Sequence, residues 1–572
     1  MNATGDDREK AMGTSLAPSI SRDNEPSTTE PANMKTASEP EPFGATKLAF
    51  MLGALTLASF LVFLDSSIVS TAIPKITDEF HSLTDVGWYG SAYHAALVPL
   101  SGGIYYCFRL QWSYLVYFAL FEIGSAICGA AQSSSMLIVG RAIAGIGGSG
   151  LSSGAFIIVA ATVSMERRPF IVGILFGISQ IGAVLGPLIG GAFTTGYTWR
   201  WCFYINLPLG ALVALPLIIM RVPEQVPKKN PFIILRELHL HLDLIGFALL
   251  TPAIVMLLLA LQYGGVDYSW SSSQIIGLFC GAGVTFIVWC LWNHHKGEKG
   301  LLPFPILKRR AVYMSGINYT FLIATMYGGL YFLPIYFQAV KGVNAILSGV
   351  YLLPLILPQI AAAVISGSIV QKIGYVIPMA LFGTILNTIG SGLFSTFQPG
   401  TTTGQWVGYS IISGVGRGSS LQMPMIAVQA AASPKEMSSA MAFIVWCQYL
   451  GPAVFLALFN LLFDASLVQQ LHKLLPQVDA QDIIDAGATG FRDLVSPQDL
   501  PSALKAYSNS LDRTFYLQAG ASVVACFAAL GMGWIDIRKK ASQPTSKPET
   551  KSNGAPPSNG SQTTAQQDGK AV

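Results

Sequence analysis

The chain has 572 residues, of which 52% are hydrophobic and only 11% charged, with a formal net charge of +4. Soluble domains carry about 25% charged residues, so this chain lacks the polar groups to cover a large water-facing surface. That excludes an ordinary soluble enzyme, and the small, dispersed net charge excludes a nucleic-acid binder.

Residues 1–46 are rich in Ser, Thr, Pro, Glu and Asp and contain no apolar leader core, so they read as a disordered tail. Fourteen apolar runs follow, near 47–73, 88–108, 114–131, 137–163, 170–192, 201–221, 243–263, 275–293, 313–337, 347–370, 376–397, 406–431, 438–463 and 514–535. Each is long enough to be a bilayer-spanning helix. An even number puts both ends of the chain on one side. Cytoplasmic loops collect Lys and Arg, and the tail-side loops hold Arg109, Arg167, Arg168, Arg221, Lys228, Lys229, Arg236 and the cluster from Lys296 to Arg310. The opposite face offers only Lys75, Arg200 and Lys341, so both termini are expected in the cytoplasm. The loop at 465–513 is long and mixed in charge, and its "SLVQQLHKLL" has a helical pattern that predicts a small outer cap. Residues 541–572 form a second polar tail.

Several spans carry groups that lipid penalises by roughly 3 kcal/mol each, which makes them functional candidates. They are Asp65 in span one, His94 in span two, Glu122 in span three, Arg141 in span four and Arg417 in span twelve. Asp65 with Arg141 reads either as a proton-coupling pair or as a static tie between helices. Glu122 reads either as a proton carrier or as a hydrogen-bond partner for a neighbouring helix. His94 suits proton exchange, and equally a satisfied packing role. Arg417 either faces a cavity with Gln422 or sits near the outer end of its span. Tyr327 and Tyr331 are one turn apart and share a helix face. That face either stacks on a planar substrate or belongs to the interfacial aromatic belt.

Span five contains "GAVLGPLIGG", a load of helix breakers that a soluble helix would not tolerate. In lipid, small residues let backbones approach, and neighbours satisfy the groups a proline frees. Gly182, Gly186 and Gly190 therefore form a flat stripe, with a bend expected at Pro187 and Gly191 adjoining. No phosphate-binding loop, zinc-protease motif, nucleophile elbow or Cys/His cluster is present, so neither cofactor nor metal is expected, and the chain does not read as an enzyme. The seven cysteines lie in or beside apolar runs and imply no disulfide framework.

These motifs together resemble the 14-span drug:proton antiporters of the major facilitator superfamily, in the branch of fungal toxin and multidrug efflux pumps. Gly182, Gly186, Pro187, Gly190 and Gly191 match that family's antiporter motif in helix five. "FLDSSIVSTAIPKI" around Asp65, "LIVGRAIAGIGGSG" around Arg141 and "TWRWCFYINLPLG" at 198–210 resemble further signatures in the same order. One departure is clear: in "GGIYYCFRLQW", after span two, Cys107 stands where the family places an aspartate, and the basic cluster is nearly gone. The resemblance implies an all-α polytopic membrane protein of two six-helix bundles, at 47–221 and 301–540, with two additional helices in the linker 222–300. It implies a monomeric, proton-coupled exporter of small apolar or amphipathic molecules in the plasma membrane, whose partners are substrate, protons and the lipid bilayer. Importer, facilitator and transport-dead sensor stay open as alternatives.

Overall fold

A computed structural model describes residues 44–538, apart from 81–88, 90–92, 94–97, 221, 225–227, 229–230, 237–241, 266–267 and 486. His94 and nearly all of both expected tails lie outside the described residues. The described chain is helical throughout, with one isolated bridge between Gly264 and Tyr268. All seven cysteines are free.

Twelve helices among the described residues are long and apolar enough to cross a membrane. In chain order the elements are α1 (Ala45–Phe80), α2 (Val98–Cys107), α3 (Leu110–Gly129), α4 (Ser134–Thr162), α5 (Arg168–Gly196) and α6 (Trp201–Ile219). Next come α7 (Leu244–Tyr263), α8 (Ser273–Lys296), α9 (Arg310–Ile335), α10 (Leu353–Ile373) and α11 (Ile377–Phe394). The last three are α12, in two pieces (Thr403–Ser420 and Met423–Ala431), α13 (Met437–Leu474) and α14 (Leu500–Gly531). The twelve omit α2 and α12, which occupy the second and twelfth sequence spans. Only ten residues of α2 are described as helix. α12 breaks just ahead of Pro424, which cannot donate a backbone hydrogen bond, and its interior carries Ser410, Ser413, Arg417, Ser419 and Ser420.

Lipid gives helices no hydrophobic reason to associate, so closeness must come from small side chains. The stripe on α5 provides it: Gly182 lies against the Phe60 carbonyl, Gly186 against Ser67 and the Ile68 amide, and Gly190 against Thr71 and the Ile68 carbonyl. The Ser67 hydroxyl donates to the Gly182 carbonyl at 3.4 Å. Pro187 sits inside an unbroken helix. Gly191 does not join the stripe, for a side chain there would point into open space. α3 and α4 close in the same way, with Gly124 against Ala144 and Gly147 against Phe121. α7 and α8 pack on each other and reach the rest mainly through α13, exposing Val284, Ile287 and Leu291.

Helices α1–α6 and α9–α14 pack as two sets that meet differently at their two ends. At the end carrying both termini, one buried core runs through both sets, joining Phe156 and Phe176 to Met425, Val428, Met441 and Ile444. There Gly102 lies against Ala442 and Gly367 against Pro169 and Phe170, while Gln429 Nε2 donates to the Phe156 carbonyl at 3.4 Å. At the far end the cores part. Ile68, Tyr89, Cys128, Trp199 and Phe203 belong to the first set, and Phe332, Tyr336, Phe397, Phe463 and Phe515 to the second. The sets are therefore sealed together on the terminal side.

The loop missing its usual aspartate is held from elsewhere. Glu224 accepts from the Leu110 amide at 2.7 Å, and Lys228 Nζ donates to the Tyr105 and Tyr106 carbonyls at 2.9 and 2.8 Å. An anion at the start of α3 and a cation at the end of α2 both suit the helix dipoles. Outside, the Arg200 guanidinium and the Trp199 indole, both hydrogen-bonded to Glu79, hold its carboxyl below the usual range. The long outer loop forms the helices Ala480–Asp485 and Gly487–Leu494 over the second set only. Phe491 stacks on Tyr507 at 4.5 Å, and Arg492 donates to the Ala339 and Val340 carbonyls at the π-helical end of α9.

These contacts separate two neighbouring glycines. Gly186→Val should force α1 and α5 apart and destabilise the protein by about 1–3 kcal/mol, the usual cost of overpacking. Gly191→Val, with open space around it, should leave the thermal midpoint of the purified protein unchanged.

Candidate functional site

Asp65 and Arg141 meet in the interior of the first set. Both are fully buried, and Arg141 Nη1 lies 2.6 Å from Asp65 Oδ2. The guanidinium also donates from Nε to the Tyr89 carbonyl at 3.0 Å and lies 4.4 Å from the centre of the Tyr93 ring. The second carboxylate oxygen, Oδ1, accepts from Asn206 Nδ2 at 3.0 Å, and the same amide donates to Ser125 Oγ at 3.0 Å. Four helices (α1, α3, α4 and α6) thus converge on one carboxylate. Arg141 Nη2 and Asn206 Oδ1 are buried with no partner among the described residues.

Glu122 lies one turn from Ser125 on α3, and both of its carboxyl oxygens are buried without a partner. Gly210 on α6 makes room for it, since a side chain there would collide with the Glu122 carboxyl. Asp65 is within electrostatic range. Among the described residues no neighbouring helix offers the Glu122 carboxyl a hydrogen bond.

The second set repeats this arrangement contact by contact. Ser391 takes Gln518 Nε2 at 2.9 Å as Ser125 takes Asn206. Thr388 pairs with Ser522 at 2.9 Å where Glu122 faces Gly210. Gly451 lies against the Thr320 carbonyl as Gly182 does against Phe60, and Gly416 against Asn387 as Gly147 against Phe121. Asp65 stands nine residues before Pro74, and Thr325 nine before Pro334. Thr325 therefore holds the position of Asp65. Its hydroxyl receives Asn387 Nδ2 at 2.9 Å, and Asn387 also reaches Ser522 at 3.0 Å.

Arg417 lies apart from Gln422, in the interior of its span. It is fully buried against Asn387 and Met326. Gln422 turns to α10, donating to the Ala363 carbonyl at 2.8 Å and to Ser366 at 3.2 Å, because the break between the two pieces of α12 redirects it. Tyr327 and Tyr331 do share a face, with ring centres 6.4 Å apart and tilted by 28°. Tyr331 is 49% exposed yet within electrostatic range of Arg141 in the other set, and Tyr327 within range of Tyr93. The tyrosine face of α9 thus looks toward the first set across the gap between them. Ser152 and Tyr449, 3.3 Å apart, bridge the same gap.

Asn206 and Ser125 are site residues that the sequence reading missed. The signal was present in "INLP", a carboxamide within an apolar run, which demands a polar partner. Removing one member of the ion pair leaves an uncompensated buried charge. Asp65→Leu or Arg141→Met alone should therefore cost about 3–5 kcal/mol of stability, and the double variant less than either. Thermal unfolding of the purified single and double variants measures this.

Comparison with known proteins agrees with this geometry. The family model of the Major Facilitator Superfamily matches residues 55–456. The MFS-type transporter pigP of Monascus ruber is 52% identical over 86% of this chain and 87% of its own length. The efflux pump mlcE of Penicillium citrinum is 45% identical over 88% and 93%, and the efflux pump mokI of Monascus pilosus 46% identical over 86% and 92%. Among solved structures, the proton:xylose symporter XylE matches with a TM-score of 0.53 at 13% identity, over 87% of this chain and all of that one, a likeness of fold.

Proposed function

Because the chain belongs to the major facilitator superfamily, we propose that it is an efflux transporter that exports small apolar or amphipathic secondary metabolites in exchange for protons. The names of the efflux pumps mlcE and mokI support the direction. The observation that carries the coupling is the buried Asp65–Arg141 pair with Asn206 on the remaining carboxylate oxygen. The protein works as a monomer in the plasma membrane with both termini in the cytoplasm, α7 and α8 standing outside two bundles that rock against each other.

On this reading the sealed terminal end is the cytoplasmic gate, and the conformation is the one that has released its substrate outward. A proton reaching Asp65 from outside cancels the charge that holds Arg141 and loosens the α1–α4 contact. The freed guanidinium relaxes toward the Tyr89 carbonyl and the Tyr93 ring. The bundles then rock, the seam through Phe156 and Met441 opens, and substrate enters against Tyr327 and Tyr331. Loss of the proton to the cytoplasm re-forms the pair. Glu122, close by and without a donor, is a second acceptor for the same proton. Differential affinity of the two states for the proton is what drives the exchange.

Everted membrane vesicles test this. Uptake of a planar apolar dye driven by an inside-acid gradient, and abolished by a protonophore, is expected. Gradient-independent equilibration would favour a facilitator, uptake of substrate in the opposite orientation an importer, and no flux a sensor. Asp65→Asn should abolish gradient-driven accumulation while retaining dye binding, and Glu122→Gln should impair it less. Accumulation with unchanged proton dependence in Asp65→Asn would sink the assignment.

A further inference from the structure

Arg417 is a buried cation without a counter-charge. Its Nε donates to Asn387 Oδ1 at 3.1 Å, its Nη1 reaches the Met326 carbonyl only at 3.4 Å, and Nη2 is buried with no partner. No Asp or Glu occurs in α9, α10, α11 or either piece of α12. Of the acids on α13 and α14, Asp464 lies toward the cap within electrostatic range of Tyr507, and Asp512 is engaged with Gln398 near the cap. Asp512 lies ten residues, about 15 Å of helix, from the Ser522 that meets Asn387. The two positions that could supply the charge are both neutral: Thr325 holds the place of Asp65, and Asn387 carries an amide. A guanidinium stays ionised at every working pH, and a buried charge left unpaired is among the costliest arrangements in a protein.

We propose that Arg417 receives the anionic oxygen of the exported molecule, so that the substrates are acids: a carboxylate or ionised phenol on an otherwise apolar frame. The inference rests on the exporter reading and names its substrate class. The contact between α9 and α12 is the counterpart of that between α1 and α4, where Asp65 meets Arg141. By the register of Gly147 with Gly416, Ser410 holds the place of Arg141 and Arg417 stands two turns further on, so a bound carboxylate would give Arg417 a counter-charge of its own rather than rebuild the first set's pair. The forked guanidinium matches a carboxylate in two parallel hydrogen bonds, using the idle Nη2 and exchanging the long contact to Met326. Gly329 leaves the guanidinium against bare helix backbone, where any side chain would press on Nη2. The acid is thus the mobile counter-charge of the second set.

The test uses 1-pyrenebutyric acid and its methyl ester, which differ in the anion and share the apolar frame. Binding to the full-length protein in nanodiscs at neutral pH is read by fluorescence, with empty nanodiscs subtracted. The wild type should prefer the acid by roughly 10-fold or more, as a charge-assisted hydrogen bond implies. Arg417→Gln should bring the ratio to about one, and Arg417→Lys should restore part of it. Asn387→Asp is nearly isosteric and gives Arg417 an internal counter-charge. The hydroxyls of Thr325 and Ser522 can turn to donate to it, so it keeps its fold and should also erase the preference. A wild type that holds acid and ester alike or holds neither, or an Asn387→Asp protein that keeps the preference, overturns the proposal. Flux of both probes in everted vesicles separates the two readings. Acid preference without movement of either probe sinks the exporter reading alone, and movement without acid preference sinks the anion site alone.

Discussion

The interior of the first set depends on one constraint: a charge in lipid must find its opposite. Asp65 and Arg141 do so at 2.6 Å with no exposure to solvent, and the surrounding helices are arranged to make that tolerable. Asn206, itself held by Ser125, donates to the other carboxylate oxygen, Tyr89 supplies a carbonyl, and Tyr93 lays its ring beneath the guanidinium. Desolvation of such a pair offsets much of its attraction, so its presence is poor evidence for stability. Neutralising either member changes the balance of four helices at once.

The same backbone plan has been given opposite chemistry in its two halves. Where the first set places a carboxylate, the second has Thr325, and where the first has Glu122 facing Gly210, the second pairs Thr388 with Ser522. Hydroxyls and amides hydrogen-bond within the second set without changing charge over the physiological range. One half therefore carries buried carboxyls, Asp65 and Glu122. The other carries the buried guanidinium of Arg417 among amides and hydroxyls.

The sequence made the spans and the α5 stripe legible because both rest on composition and spacing alone. A four-residue period of glycine in an apolar run has one economical reading in lipid, and Gly182, Gly186 and Gly190 follow it. Gly191 and Gln422 show where that reading stops: which way a residue faces at a helix end or beside a break depends on neighbours distant in sequence. The pairing of Asp65 with Arg141 was readable from the cost of leaving either alone. Asn206 is less legible, because a carboxamide in "INLP" needs a polar partner but carries no charge that names which one. The role of Glu224 and Lys228 was invisible for a different reason. The loop they hold had lost its own charges, and their replacements come from the linker beyond α6.

The seam that seals the terminal end is dry. The contacts across the seam are mainly apolar or glycine against backbone, joined by the hydrogen bond from Gln429 to the Phe156 carbonyl. Mobile ions screen charges, and the seam's described contacts are between uncharged groups. Ionic strength therefore has little hold on the opening of this gate, whereas separating the seam wets apolar surface and so carries a positive heat-capacity change. The balance between the two states of the molecule is accordingly a curved function of temperature and a nearly flat one of salt.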